Sequence, residues 1–473
     1  MSIDYEHAQH SKYATVWKKI NDICDYETVT DYLIELNPDD DSEENASRNS
    51  QFQDRAVFSD IAGQTVRGFV GLVFNKEPNA ELPAGLDYLE ENADGAGVSI
   101  YQQSQEVVED LARVSLAGLW VDFPKTDGPV SAEDISSRKV FATINHFAAS
   151  QIWNWRTTRR GSQVLLELVV LKSSEEIVGE DGYSVETQDV FLELYLDNDV
   201  YTVREWRPST DEAEWEPSDP VVPKQHNGQT WDIIPFMFVG AQSNTWRIDA
   251  PVLRGLVELN IAHYNNSAIY EDSVFIVGQA QPWMSGLDID TMKAFEENGY
   301  YIGSGRLMGV PSGEKLDFAQ PKENTLAREA MKDKLEMMIG LGAYFIQPGS
   351  AVKTATQSSG EQRVQHSVLS LISSNVSEAY IQCIEWCGLF MGVTGNIEFK
   401  LNQDFVDPDA TPQELQQVIA GFMQNAIPMA DYLEWMKRHK YIAQDKTVEE
   451  FEDEVEPTEP VPLDDEIEEE DDS

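Results

Sequence analysis

Cys383 and Cys387 stand four residues apart on a segment of helical periodicity, a spacing that could hold a metal ion between two thiolates. A closed site needs four ligands, and no His or Cys nearby completes the set, so the pair is expected as buried thiols. With Cys24 the only other cysteine, no disulfide framework can be drawn. "ENADGAG", Glu91 to Gly97, offers Asn and Asp oxygens that could suggest calcium. It lacks the remaining ligands and the closing Glu of an EF-hand loop, so turn chemistry is expected. "GVPSGEK", Gly309 to Lys315, has neither the Gly before the Lys nor the Ser or Thr after it that a phosphate loop needs. "GSGRLMG", from Gly303, has the wrong spacing for a dinucleotide fingerprint. His-Glu-x-x-His, Gly-x-Ser-x-Gly and Cys-x-x-Cys motifs are absent. His263 and His366 fall on predicted helices without partner ligands and read as packing or surface residues. Carboxylates are abundant, yet linear spacing shows no catalytic pair, so an acidic hydrolase stays an unsupported alternative. No cofactor or metal is called for, and no enzymatic activity is expected.

"PGSAVKTATQSSGEQ", Pro348 to Gln362, carries one cation, Lys353, between two apolar-periodic segments. Pro348 and Gly349 end the preceding helix, and Ser358 with Glu361 forms a capping box for the next. The Ala, Thr, Ser and Gln between them have little to bury. The segment is either a solvated connector or a loop exposed for contact.

These residues belong to a chain of 473, with 84 acidic and 34 basic side chains and a formal charge of −50. Hydrophobic residues make up 41%, enough for two or three cores. The acidity argues against ordinary gripping of nucleic acid, which needs Lys and Arg on phosphates. It fits equally a surface that repels nucleic acid or solubility in a saline setting. The polar start "MSIDYEHAQH" shows no signal peptide, and no window is long and apolar enough for a membrane span.

Residues 1 to about 120 read as mostly helical, in "SKYATVWKKINDICDY", "FSDIAGQTVRGFVGLVFNKEP" and a helix from near Tyr101. "GLWVDFP", "VLLELVVLKS", "DVFLELYLD", "VYTVREW" and "WDIIPFMFVGA" read as strands. A helix is expected over 249–272, capped by Asp249 with Pro251 in its first turn; Leu253, Leu256, Val257, Ile261, Tyr264 and Ala268 form its stripe. "VFIVG", "GYYIGSG" and "RLMGVPSG" read as strands and turns. A second helix follows from Lys322 to Ile346, with a stripe including Leu326, Leu335 and Met338. Then comes a long helix to about Phe390 along Val368, Ile372, Val376, Ala379 and Cys383. "IEFKL" reads as a strand, and "TPQELQQVIAGFMQNA" and "MADYLEWMKRHK" as helices. The last stretch, 447–473, has fifteen acidic residues and no Lys or Arg, and is expected to be disordered.

This order of elements resembles the portal protein of tailed bacteriophages. "VRGFVGLVFNKEP", "ENADGAGVSI", "AGLWVDFP", "IPFMFVGAQSN", "LVELNIAHYNNSAIYED" and "FIVGQAQPWMSGLD" are similar to a portal-like family first catalogued as a domain of unknown function. "ELNIAHYNNSAIYED" is the most specific piece. The resemblance implies an α+β portal fold assembled as a cyclic ring, expected as a dodecamer. It assigns residues 1–248 to a wing, 249–272 and 321–346 to stem helices, and 273–320 to a clip. Residues 347–358 become a tunnel loop, 359–392 a long wing helix, and 393–446 a helical crown, with the acidic tail unassigned. It implies a channel at one capsid vertex of the virion, built in the host cytoplasm, for packaging and ejecting double-stranded DNA. The implied partners are further copies of the chain, the major capsid protein, the terminase large subunit and a head-tail adaptor, without a membrane. Lys353 would touch phosphates in that channel, with Thr354, Thr356 and Gln357 as neutral hydrogen-bonding neighbours. A tail-connector or other structural ring of a phage is the alternative.

Overall fold

The computed structural model describes residues 3–124, 140–179, 181–209, 214–278, 281–285, 289, 293, 315–319, 325–342, 355–403, 405, 412–423, 426–438 and 441–442. Of 281–285, 315–319, 355–367, 412–414 and 438 it describes the backbone alone. The expected strands of "GYYIGSG" and "RLMGVPSG", the two glycine-rich motifs apart from Lys315, and the acidic tail 447–473 lie outside the described residues.

Capping side chains set the helices of the N-terminal region. Helix α1, Ala8–Cys24, starts where His7 Nδ1 accepts the N–H of Gln9. Helix α2, Glu43–Arg55, starts at Ser42, whose Oγ accepts from Asn45 N–H. It buries only Asn45 and Phe52, which is why no apolar period announced it. Asp60 caps α3, Ile61–Val73. Strand β1, Asn79–Glu81, follows. Helix α4, Ile100–Val114, opens with a full capping box of Ser99 and Gln102. Just before it, Asn92 accepts from Gly95 and Gly97 N–H and Asp94 from Ala96 and Val98 N–H, so "ENADGAG" is turn chemistry.

Strand β2, Leu116–Asp122, is buried along nearly its whole length because it is central. It lies antiparallel between β3, Thr143–Ala148, and β9, Phe236–Gly240. Between them in sequence runs an antiparallel meander: β4, Ile152–Arg160; β5, Gln163–Val178; β6, Val185–Asp197; β7, Val200–Pro208; and β8, Trp215–Pro217. Asn198 and Asp199, at φ 50° and 64°, make the tight β6–β7 turn, as left-handed two-residue hairpins require.

Helix α5 runs Arg254–Gly278, about 37 Å. Asp249 is not its cap: its Oδ2 accepts the N–H of Gln242 at 2.8 Å and closes the preceding turn. "VFIVG" is helix and not strand: it continues α5, with the Phe275 ring 3.8 Å beneath the Arg55 guanidinium, a tertiary contact that β propensity does not register. Strands β10, Gln281–Ser285, and β11, Lys315–Ala319, pair antiparallel before α6, Leu326–Gly340. The long helix α7 covers Ala355–Met391, about 55 Å. It begins before Ser358, which is therefore inside the helix and not its cap. Ile372, Val376, Ala379, Tyr380, Cys383 and Cys387 are buried along it. Asn375 Nδ2 donates to Gly240 O at 2.8 Å, fixing α7 to the end of β9. Gly392, at φ 71°, ends the helix, and β12, Glu398–Lys400, pairs with β1.

The chain divides into two compact units, Met1–Asp404 and Phe405–Ser473. The second contains α8, Pro412–Met423, and α9, Met429–Arg438, with the Phe422 and Tyr432 rings stacked at 4.2 Å.

Candidate functional site

Helix α5 carries the stretch "ELNIAHYNNSAIYED", and its buried face is polar as well as apolar. Leu256, Val257, Tyr264 and Ala268 are buried as expected, while Ile261 is half-buried. Between them, Asn260, His263, Ser267 and Asp272 are buried too. Asn260 Oδ1 accepts the N–H of Ala62 at 3.0 Å, and its Nδ2 donates to Ser59 O at 3.0 Å. Ser267 Oγ accepts from Val57 N–H and donates to Val57 O. Asn265 accepts from Ile34 N–H and donates to Tyr32 O. Asp272 accepts from Arg48 at 2.5 Å and Arg55 at 3.2 Å. The side chains thus satisfy backbone groups of segments that have no sheet partner there.

Ile269, Val274, Phe275 and Ile276 of α5 are exposed, and α6 exposes Leu326 (73%), Met337 and, just past its end, Leu341. The expected stripe of α6 is buried chiefly at Met338. Near the start of α5 lies an apolar cavity of about 180 Å³, lined by Phe69, Val252, Leu256, Leu341, Ile372 and Thr65 among others.

Burial is the main cause of the larger pKa shifts. Burial pushes the Cys24 thiol up to about 12 and raises Cys383 and Cys387 further, so all three are buried, free and protonated at neutral pH. His263 lies against α6; burial, and then the charge of Lys334, lowers its pKa. Burial raises Asp122 to about 7, but it is not among the residues lining the 180 Å³ cavity. His146 pairs with Asp110 at 3.0 Å. Among the described residues no group of three or more His, Cys, Asp or Glu is placed to hold a metal ion. Among them, too, no helix is long and apolar enough to cross a membrane.

Lys353 and Thr354 lie outside the described residues. Thr356 and Gln357 fall in the first turn of α7, described there as backbone. His366 is likewise helical backbone. His263 is buried, one of the two places its sequence reading allowed, while Asn260 and Ser267, at helical spacing from it on the face of Val257 and Tyr264, had no sequence signal of their own.

A family described as "Domain of unknown function (DUF4055)" matches residues 252–391, from the start of α5 to the end of α7. No curated protein matches the chain. Among solved structures, it is similar to a chain from the neck of an empty GTA particle computed with C6 symmetry, at 13% identity and a TM-score of 0.39, covering 78% of this chain and 86% of that one. A chain from the virion of a native gene transfer agent (GTA) particle is similar at 12% identity and a TM-score of 0.38, covering 80% and 88%. At these TM-scores neither likeness carries a functional conclusion.

Proposed function

We propose that this chain is the portal protein of a tailed phage or phage-like particle, a ring through which double-stranded DNA is packaged and ejected. The observation that carries the reading is the apolar surface of the α5–α6 pair. Ile269, Val274, Ile276, Leu326 and Met337 face solvent on two adjacent helices joined through the β10–β11 ribbon. Exposed apolar side chains on two packed helices mark an interaction site where they meet in one patch, and copies of one chain bury such a patch most simply by closing a ring. In this reading α5 and α6 are the stem helices and the region between them is the clip, which meets the terminase large subunit and then the head-tail adaptor. Helix α7 is the long wing helix, and the second unit belongs to the crown. The resemblance of "ELNIAHYNNSAIYED" to portal-like sequences supports it. So does the formal charge of −50, since a channel must pass DNA without gripping it. The ring is expected to be dodecameric, to sit at one vertex beside the major capsid protein, and to have no catalytic role of its own. Native mass spectrometry of the purified chain tests this: a closed assembly of many copies is expected, and monomers or dimers alone at near-native salt would overturn it.

A further inference from the structure

The β5–β6 hairpin extends beyond the sheet that carries it. Strand β4 pairs with β5 only as far as Leu171, and β7 pairs with β6 only from Phe191. Residues 173–178 and 185–190 therefore pair with each other alone, and a two-stranded ribbon of this kind is marginal in water without a partner. Its tip is nevertheless tightly fixed. Asp181 Oδ1 accepts the N–H groups of Tyr183 and Ser184 and the Ser184 hydroxyl, and Gly179 N–H donates to Ser184 O. This turn holds Tyr183 out at 93% exposure, with Ile177, Val178 and Val185 also exposed beside it.

The cavity near the start of α5 has the complementary form. An apolar cavity of about 150 Å³ stays dry and accepts a benzene-sized ring. This one, at about 180 Å³, takes a phenol ring. Among its apolar lining, Thr65 is a buried polar residue whose hydroxyl donates to Ile61 O, leaving oxygen lone pairs free to accept from a phenol O–H. Val252 and Leu341, both exposed, are among its lining, and Arg254, two residues after Val252, is exposed and without an ion pair among the described residues. The hairpin tip brings the matching charge in Glu176, Asp181 and Glu186.

We infer that the tip of the β5–β6 hairpin docks on a second copy of this chain, with Tyr183 seated in the neighbour's apolar cavity and its hydroxyl on Thr65. The contact joins two different surfaces, so repetition gives a head-to-tail ring. It rests on the self-assembly proposed above.

Single-cysteine variants test it, because the native thiols are all buried. Chains carrying Val185→Cys, which keeps Tyr183 in place, and chains carrying Val252→Cys are mixed and treated with a short thiol–thiol cross-linker, while native mass spectrometry follows assembly of the unaltered chain. A cross-linked dimer that forms only in the mixture, together with weakened assembly of Tyr183→Glu, is the expected result. An unaltered chain that assembles while the mixture gives no dimer overturns the docking and leaves the ring standing. An unaltered chain that stays monomeric overturns both.

Discussion

Asn260 on α5 accepts the backbone N–H of Ala62 at 3.0 Å, although the two residues are nearly 200 positions apart. Ala62 lies in the first turn of α3, where N–H groups have no intrahelical partner. Asn260 thus caps a helix from another part of the chain while its amide donates to Ser59 O. Asn260→Leu removes both bonds and leaves two backbone groups short of partners. The expected loss is about 1–3 kcal/mol, read as a lowered denaturation midpoint. An unchanged midpoint would mean that water replaces the side chain.

The apolar half of this arrangement was legible in the sequence. Leu256, Val257, Tyr264 and Ala268 recur at helical spacing and are buried, as are Val376, Ala379 and Cys383 on α7. The polar half was not, because the partners of Asn260, Ser267 and Asp272 lie about 200 positions away and leave no local pattern. Helix α2 escaped for the same reason: it is held by Arg48 and Arg55 reaching Asp272, a long-range contact with no local period. Phe275 shows the converse, a β-branched and aromatic run that is helical, with its ring against Arg55. The proposed tunnel residues stay legible only as sequence, since Lys353 and Thr354 lie outside the described residues.

His263 makes stability depend on pH. Burial first, and the Lys334 charge second, hold its pKa below the ordinary value of 6.5, so the fold keeps the imidazole neutral. The unfolded chain takes up the proton near the ordinary value. The contribution is therefore fully present above about pH 6.5 and is lost as pH falls through the lowered value. Asp122, raised to about 7, acts in the opposite sense over the same range, so the His263 contribution is read as a difference: the midpoint of the unaltered chain minus that of His263→Gln should shrink as pH falls from 7.5 to 5. His7, also lowered chiefly by burial, accounts for part of what remains. An unaltered slope in His263→Gln would assign the effect elsewhere.

Removing residues 447–473 takes away fifteen negative charges and no positive ones. Like charges brought together by assembly repel, so the shortened chain should assemble at least as well as the full one, most visibly at low salt. Sedimentation of both forms at low and moderate salt reads this directly. Loss of folding on truncation would show that the acidic stretch is part of a core.

Lys353 is the only cation between Pro348 and Gln362. In the proposed portal it gives one point charge per copy, a sparse ring that meets phosphates without reading bases. A dense basic ring would hold DNA through many simultaneous phosphate contacts, each steepening the salt dependence of binding. An all-acidic ring would repel the strand at the narrowest point. Lys353→Glu should therefore leave rings and capsids formed while the yield of DNA-filled particles falls several-fold. Lys353→Arg, which keeps the charge, should restore it. Normal packaging by the Glu variant would remove the charge role, and a structure of the ring with Lys353 on its outer surface would remove the tunnel assignment itself.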